Sequence, residues 1–207
     1  MKLYYFDIYG RAESIRFLLS HAKVEYENVN AGPIMADLKK DKLEFGQVPM
    51  LETADGKHFV QSWAILRYLG RTYGYYPEDP ELAWKIDSTI DAVEDYLASY
   101  FKFNFESHEE KKAVFKEAWL KNLPMWVSAI EKRLEANGGK YIAGDKITIA
   151  DFALAYVGFG LLLNEANPHY AETLPFIKDQ EVLKKYANGL KEDLAAHLTT
   201  RPTPRPF

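Results

Sequence analysis

The periodicity of the apolar residues changes near residue 75, and this change limits the folds open to the chain. Before it, short apolar runs typical of strands are interleaved with segments of helical spacing. After it, apolar residues recur at helical spacing through most of the chain. The segment between, Gly74-Tyr75-Tyr76-Pro77-Glu78-Asp79-Pro80, is rich in turn formers. The pattern predicts an α/β domain over residues 1–74, a linker over 75–81 and an all-helical domain over 82–207.

The N-terminal part is predicted to follow the order β-α-β, an ambiguous segment, and then β-β-α. We expect strands at residues 3–8, 26–29, 48–52 and 57–60, and helices at residues 11–22 and 62–73. Ser62 is predicted as the N-cap of the second helix. Residues 32–43 show no clear period, so we interpret them as irregular or weakly helical.

The C-terminal part is predicted to be helical at residues 82–105, 111–136 and 148–163, with shorter helices between 182 and 198. Thr148 and Asp151 have the spacing of a capping box at the start of the third of these helices. Asp151 is therefore interpreted as a folding residue rather than a catalytic one. The tail over residues 201–207 carries too many prolines to be helical.

Composition excludes several classes of function. The 207-residue chain has no cysteine, which excludes disulfides, thiolate metal sites and a cysteine nucleophile. Its net charge is −4 with both signs interspersed, which argues against binding nucleic acid. No apolar run has the length of a signal peptide or a membrane span. We expect a cytoplasmic protein that binds neither nucleic acid nor membrane.

Three segments carry a resemblance to a known family. They are Leu3–Arg16 (LYYFDIYGRAESIR), Phe45–Leu51 (FGQVPML) with Val60-Gln61-Ser62, and Gly144–Phe152 (GDKITIADF). In this order they resemble the cytosolic glutathione transferases of the tyrosine type, most of all the sigma class, which is related to the mu, alpha and pi classes. The resemblance covers essentially the whole chain. It implies a thioredoxin-like N-terminal domain that binds glutathione and an all-α helical bundle that forms the electrophile pocket.

The activity that this resemblance implies is glutathione S-transferase, with glutathione as co-substrate and no metal required. A free thiol has a pKa near ~8.5, so the enzyme must favour the thiolate. The resemblance assigns the catalytic hydroxyl to Tyr5 and a cation near the sulfur to Arg11. Neighbouring strand residues face opposite ways, so Tyr4 is excluded if Tyr5 faces the site.

The same resemblance implies a set of glutathione-binding residues. Val48 would pair with the cysteinyl backbone beside a cis bond to Pro49, and the helix N-terminus at Gln61 and Ser62 would hold the γ-glutamyl carboxylate. Lys39 would hold the glycine carboxylate, although the tryptophan that sigma members carry a few residues earlier is missing here. The set is completed by Gln47 and by Asp95 of the partner subunit.

A homodimer is therefore expected, because Asp95 of the partner subunit would complete each site. The resemblance places Glu94 near the dimer cleft, where some sigma members bind a divalent ion, but we predict no metal site. The predicted electrophile pocket consists of Ile8, Gly10, Leu97, Phe101, Ala153, Val157 and Phe207, each of which is equally consistent with core packing.

Two other functions remain open at this point. The first is a glutathione-dependent isomerase of a lipid peroxide, which would use the same thiolate in a pocket of different shape. The second is a non-catalytic ligand carrier or a relative of the lens crystallins. The presence of Tyr5, Arg11, Gln61, Ser62 and Asp95 favours catalysis.

Overall fold

The computed structural model of the chain describes residues 1–201. The strands of the N-terminal part are β1 Lys2–Tyr5, β2 Glu27–Asn30, β3 Met50–Glu52 and β4 His58–Val60, and its helices are α1 Glu13–His21, α2 Met35–Asp41 and α3 Ser62–Tyr73. The strands form one sheet in the order β2-β1-β3-β4, with β1 parallel to β2 and antiparallel to β3. The α/β N-terminal domain and its thioredoxin-like order of elements are confirmed.

The central strand separates two apolar cores because its side chains alternate between the faces of the sheet. Tyr5 packs into the large core, which extends through the helices of the C-terminal part. Tyr4 packs on the opposite face, in a small core with Leu38 and Met50. The prediction that the two tyrosines face opposite ways is confirmed.

Two local predictions in this part need correction. The ambiguous segment contains a 3-10 turn, Gly32–Ile34, followed by the regular helix α2. The sequence gives little sign of α2 because Leu38 is its one buried residue. Ser62 is the first residue of α3 rather than its cap, since the N-cap position is Gln61, whose side chain makes no capping hydrogen bond.

The C-terminal part is helical, as predicted. Its helices are α4 Pro80–Asn104, α5 Glu109–Ala136, α6 Ile149–Tyr156, α7 Tyr170–Ile177, α8 Glu181–Asp193 and α9 Ala195–Thr200. The predicted third helix is α6 continued by a π-helical segment, Val157–Leu162. The short α7, which contains Pro175, was not predicted. Within residues 1–201, no helix is both long and apolar enough to cross a bilayer.

The start of α6 confirms the predicted capping box. The backbone N–H and the hydroxyl of Thr148 both donate to Asp151 Oδ2, at 2.8 and 2.9 Å. The other carboxylate oxygen accepts from the N–H of Ile142 at 2.9 Å and from the hydroxyl of Tyr186 at 2.8 Å. Asp151 is fully buried and joins three segments of the helical part, so its role is structural.

A second buried carboxylate joins the two ends of the described chain. Glu13, on α1, is completely buried. Its oxygens contact His197 at 2.9 Å, and Arg16 and Arg201 each at 3.1 Å. His197 and Arg201 lie on and just after α9, so this cluster fixes the last described helix against the first.

Candidate active site

A cleft of about 410 Å³ opens between the N-terminal part and α4. Most of its walls are residues that the sequence predicted for ligand binding. The lining residues are Arg11, Gln47, Val48, Pro49, Gln61, Ser62, Trp63 and Glu94. The fold therefore brings together side chains from the turn after β1, the segment before β3, the start of α3 and the middle of α4.

The hydroxyl of Tyr5 contacts the backbone of one cleft residue, Arg11. Tyr5 is the last residue of β1 and is 7% exposed. The backbone N–H of Arg11 donates to its Oη at 3.0 Å. Tyr5 does not itself line the cleft: its ring borders a neighbouring polar cavity of about 270 Å³. Its hydroxyl is linked to the cleft through Arg11, which does line it.

The protonation state of Tyr5 suits a hydrogen-bond donor. Burial raises the pKa of its phenol, while the N–H of Arg11 and the charges of Arg11 and Arg16 act in the opposite direction. The net result is a raised pKa, so the phenol keeps its proton at neutral pH. Because the Arg11 N–H occupies one lone pair of the oxygen, the phenol proton is available for another acceptor.

Gly10 is required for this arrangement. Its φ of +47° is one that residues with a side chain rarely adopt. A Cβ atom at this position would lie 2.6 Å from Tyr5 Oη. The turn after β1 can therefore approach the hydroxyl only because residue 10 is glycine.

The guanidinium of Arg11, which the resemblance predicts as a cation near the sulfur, is paired with a carboxylate. Its Nη2 donates to Glu94 Oε1 at 2.8 Å, and its Nη1 donates to Glu94 Oε2. The indole N–H of Trp63 donates to the same Oε2 at 2.7 Å. Burial would raise the pKa of Glu94, but the hydrogen bonds from Arg11 and Trp63 and the Arg11 charge lower it overall.

Sequence reasoning missed Trp63 and the partner of Glu94. Trp63 follows the predicted Gln61-Ser62 pair directly and supplies an indole to the cleft. Its position next to a predicted ligand-binding pair was the available signal. The carboxylate of Glu94 pairs with Arg11 of the same chain, and its predicted place near a dimer cleft stays a prediction. Pairing between residues 83 positions apart has no signature in a single sequence.

The N-terminus of α3 faces the cleft through Gln61, Ser62 and Trp63. The first N–H groups of a helix have no partner within the helix and attract anions. Gln61 has φ 72° and ψ 114°, an uncommon conformation for a residue other than glycine. Such conformations persist where the surrounding structure enforces them, and they concentrate at functional sites.

The Val48–Pro49 peptide bond is cis, as the resemblance implied. Both residues line the cleft and immediately precede β3. Gln47 completes this edge of the cleft.

Two predicted binding residues lie outside this lining. Lys39 is an exposed residue of α2, and Asp95 is an exposed residue of α4. Asp95 follows Glu94 directly, so its side chain leaves the helix on a different side from the one that faces Arg11. Its exposure leaves it accessible to a second molecule.

The predicted electrophile pocket is split between surface and core. Leu97 and Ala153 are completely buried and Val157 is 1% exposed, so these three belong to the apolar core. Gly10 is also buried, and only Ile8 and Phe101 are partly exposed. Phe207 lies outside the described residues.

An aromatic surface adjoins Phe101. The guanidinium carbon of Arg11 is 5.5 Å from the centre of the Phe101 ring. Phe105, which is 66% exposed, stacks on Phe101 with ring centres 5.6 Å apart. Sequence reasoning missed Phe105, although its spacing of four residues from Phe101 on a helix was a usable signal. Within residues 1–201, no three His, Asp or Glu side chains are grouped as metal ligands would be.

Both parts of the chain resemble known proteins. Residues 1–71 match the family described as glutathione S-transferase, N-terminal domain, and residues 94–192 match glutathione S-transferase, C-terminal domain. The chain is 32% identical over 197 residues to glutathione S-transferase 1 of Ascaris suum, covering 92% of this chain and 90% of that protein.

Solved structures show the same likeness. The structure of prostaglandin synthase D of Nilaparvata lugens is 28% identical with a TM-score of 0.82 and covers 98% of both chains. Monomeric Na-GST-3, a glutathione S-transferase of the hookworm Necator americanus, is 28% identical with a TM-score of 0.80, again covering 98% of both chains.

Proposed function

Since this chain belongs to the glutathione transferase family, we propose that Tyr5 generates its reactive thiolate by donating a hydrogen bond to the glutathione sulfur. The enzyme is a glutathione S-transferase, which activates the thiol of its co-substrate and conjugates it to hydrophobic electrophiles. The observation that carries the assignment of Tyr5 is the 3.0 Å hydrogen bond from the Arg11 N–H to its oxygen. This bond orients the phenol and leaves its proton for the sulfur.

The free energy needed to favour the ionised thiol is moderate. Lowering the pKa of the thiol by about two units requires roughly 2.7 kcal/mol of preference for the anion. A hydrogen bond to a charged group contributes about 1.5–3 kcal/mol, so a single phenol supplies much of it. Because the pKa of Tyr5 is raised rather than lowered, the phenol does not lose its proton to the thiolate.

Arg11 acts, in this proposal, first through its backbone N–H. Its guanidinium charge is balanced by Glu94, so it adds less to thiolate stability than an unpaired cation would. The pair also holds the guanidinium beside Phe101, at the border between the cleft and the aromatic surface.

Glutathione itself would lie along the cleft. Val48, next to Pro49, pairs with the cysteinyl backbone, and the N-terminus of α3 at Gln61 and Ser62 binds the γ-glutamyl carboxylate. Gln47 and Lys39 serve the glycine end. No metal takes part in this scheme. Residues 1–74 form the glutathione-binding domain, and residues 82–207 supply the electrophile pocket after a linker at 75–81.

We also propose a cytoplasmic homodimer of the sigma type. The Gly10-Arg11-Ala12-Glu13 segment supports the class, and the exposure of Asp95 supports contact with a second subunit. One similar structure is described as monomeric, so the association state needs its own measurement. Sedimentation equilibrium at micromolar concentration should give a dimer mass, and a monomer would remove the role of Asp95 of the partner subunit.

The main test is a titration of the bound thiol. The ultraviolet absorbance of thiolate is followed against pH for glutathione bound to the enzyme, and conjugation to a chlorodinitrobenzene is measured in parallel. We expect a thiol pKa well below ~8.5 together with turnover. Tight binding with an unshifted pKa and no conjugate would contradict the proposal and favour a carrier.

A second candidate is a glutathione-dependent isomerase of a lipid peroxide, supported by the likeness to prostaglandin synthase D of Nilaparvata lugens. An isomerase regenerates its thiol, so the amount of glutathione stays constant while the lipid is converted. A conjugating enzyme consumes one glutathione per product. Measuring glutathione and product together separates the two.

A further inference from the structure

Arg16, on α1, carries a buried positive charge outside the scheme proposed above. The residue is 7% exposed. Its Nη1 pairs with the carboxylate of Glu13 at 3.1 Å, and its Nε donates to Asn28 Oδ1 at 3.0 Å. A buried charge is tolerated when it is paired and hydrogen-bonded in this way. The burial of Arg16 therefore needs no ligand.

Arg16 also holds the turn that follows β1. Its Nη1 donates to the backbone carbonyl of Ile8 at 3.0 Å and to that of Tyr9 at 2.9 Å. These residues lie three and two positions before Arg11, whose N–H donates to Tyr5 Oη at 3.0 Å. One side chain thus fixes two carbonyls just before the peptide group that contacts the phenol.

The same guanidinium contacts the ring of Tyr5. The guanidinium carbon of Arg16 is 5.8 Å from the centre of this ring, within the range of a cation–π contact. Arg16 therefore touches both partners of the hydrogen bond between the turn and the phenol: the ring directly, and the turn through its carbonyls.

Part of this turn faces open space. A polar cavity of about 270 Å³ is bordered by Phe6, Asp7 and Tyr9 of the turn, and also by Tyr5 and Arg16. Packed side chains cannot fix the backbone on the side of a cavity, which leaves that task to hydrogen bonds. The two bonds from Arg16 to the carbonyls of the turn supply this support.

We propose that Arg16 is a positioning residue for thiol activation, because its bonds to the carbonyls of Ile8 and Tyr9 keep the Arg11 N–H on the hydroxyl of Tyr5. This inference rests on the role proposed for Tyr5. Arg16 does not line the glutathione cleft, so it acts through the phenol rather than on glutathione. A phenol that is poorly oriented donates a weaker hydrogen bond to the sulfur, since hydrogen bonds weaken steeply as they bend.

Arg16→Lys separates position from charge. Lysine keeps a positive charge beside Glu13, but its compact ammonium group lacks the planar fork with which the guanidinium bonds Asn28 and both carbonyls. We expect the pKa of the bound thiol to rise by about half a unit to one unit, less than in Tyr5→Phe because the hydroxyl remains. Below that pKa, kcat/KM should fall by about 3- to 10-fold, with kcat changing more than the KM for glutathione.

A milder variant keeps the test decisive if Arg16→Lys does not fold. Asn28 is exposed and accepts the 3.0 Å bond from Arg16 Nε. Asn28→Ala removes this bond without touching the cleft, so the pKa of the bound thiol should rise in the same direction by a smaller amount. Urea unfolding shows which variants are folded.

Arg133→Lys is the matched control. Arg133, on α5, also donates to a backbone carbonyl, that of Lys85 at 3.2 Å, and its guanidinium carbon also lies over an aromatic ring, that of Trp84 at 5.6 Å. It does not line the glutathione cleft. Its replacement should leave the pKa of the bound thiol unchanged.

The decisive comparison is Arg16→Lys in the Tyr5→Phe background. If Arg16 acts through the phenol, the double variant should show the same thiol pKa as Tyr5→Phe alone, because interacting residues are not additive. An equal further rise in that background would overturn the proposal, since the effect would then bypass Tyr5. A folded Arg16→Lys with the wild-type thiol pKa would also overturn it, as would a shift of equal size in Arg133→Lys.

The remaining outcomes are also decisive. If Arg16→Lys is unfolded, an unshifted thiol pKa in Asn28→Ala overturns the proposal. A thiol pKa near ~8.5 in the wild type would refute thiol activation by Tyr5 itself, and with it any role of Arg16 in that step. A lowered pKa in the wild type that stays lowered in Arg16→Lys refutes the role of Arg16 alone.

Discussion

Replacing Tyr5 by phenylalanine removes one oxygen atom and leaves the ring, which packs in the large core, in place. The loss has two consequences. The glutathione sulfur loses the proposed hydrogen-bond donor, and the N–H of Arg11 loses the acceptor that it contacts at 3.0 Å.

The expected change of the thiol pKa in Tyr5→Phe follows from the charge on the sulfur. A hydrogen bond to an ion contributes about 1.5–3 kcal/mol, and one pKa unit corresponds to about 1.36 kcal/mol. The pKa of the bound thiol should therefore rise by about one to two units in Tyr5→Phe. At a pH below both values, the thiolate fraction, and with it kcat/KM, should fall by about 10- to 100-fold.

The assay is the thiolate absorbance titration, with Tyr4→Phe as the matched control. Tyr4 also loses a hydroxyl hydrogen bond, donated to Glu52 at 3.2 Å, but it faces the opposite core. Its replacement should leave the pKa of the thiol unchanged. An unchanged thiol pKa in Tyr5→Phe, or equal shifts in both variants, would refute the assignment of Tyr5.

Three further predictions concern the surroundings of the site. Glu94→Gln removes the counter-charge of Arg11, so the pKa of the bound thiol should fall by about half a unit to one unit in the same titration. Gly10→Ala forces a Cβ to 2.6 Å from Tyr5 Oη at a φ of +47°, and should cost about 1–3 kcal/mol in urea unfolding and lower kcat/KM. Glu13→Gln should remove a pH-dependent part of the stability. The pKa of Glu13 falls from 4.5 to about 2 in the folded state, because His197 and the nearby arginines outweigh its burial. Its contribution, about 3 kcal/mol, is therefore complete above pH 4.5 and is lost as the pH falls toward 2.

Each of these has a control. Gly56→Ala meets a positive φ of +80° with open space around it, so a cost equal to that of Gly10→Ala would exclude the clash with Tyr5 as its cause. A rise of the thiol pKa in Glu94→Gln would show that Glu94 acts more by positioning Arg11 than by neutralising the charge of Arg11. Exposed Glu110→Gln should leave the pH dependence of the unfolding free energy at acid pH as in the wild type. If Glu13→Gln also left it unchanged, the stabilising role of the Glu13 cluster would be contradicted.

The fold was predictable where local chemistry decides it. The capping box at Thr148 and Asp151 uses residues three apart, and the hairpin and the linker depend on turn formers at fixed positions. Helices α2 and α7 were not predicted as regular helices because they are short and bury few residues.

The candidate site was predictable where its residues belong to short motifs. It was not predictable where it depends on packing between distant parts of the chain. Val48, Gln61 and Ser62 belong to short motifs, and the fold does bring them to one cleft. The pairing of Arg11 with Glu94 depends on how α4 packs against the turn after β1, and no pattern of neighbouring residues encodes that. The buried state of Leu97, Ala153 and Val157 is likewise a result of packing, since an apolar helical stripe looks the same in a core and in a pocket.

The cluster around Glu13 has a consequence for the order of synthesis. His197, one of the partners of this carboxylate, is 184 residues further along the chain, which a ribosome needs about 10 to 40 seconds to add. During that time Arg16 is the one cation of the cluster already made, and a buried carboxylate with too few partners is costly. The nascent N-terminal sheet and α1 should therefore stay open to proteases and chaperones until α9 leaves the ribosome. A chain truncated before His197 should then be degraded rather than accumulate as a half-enzyme.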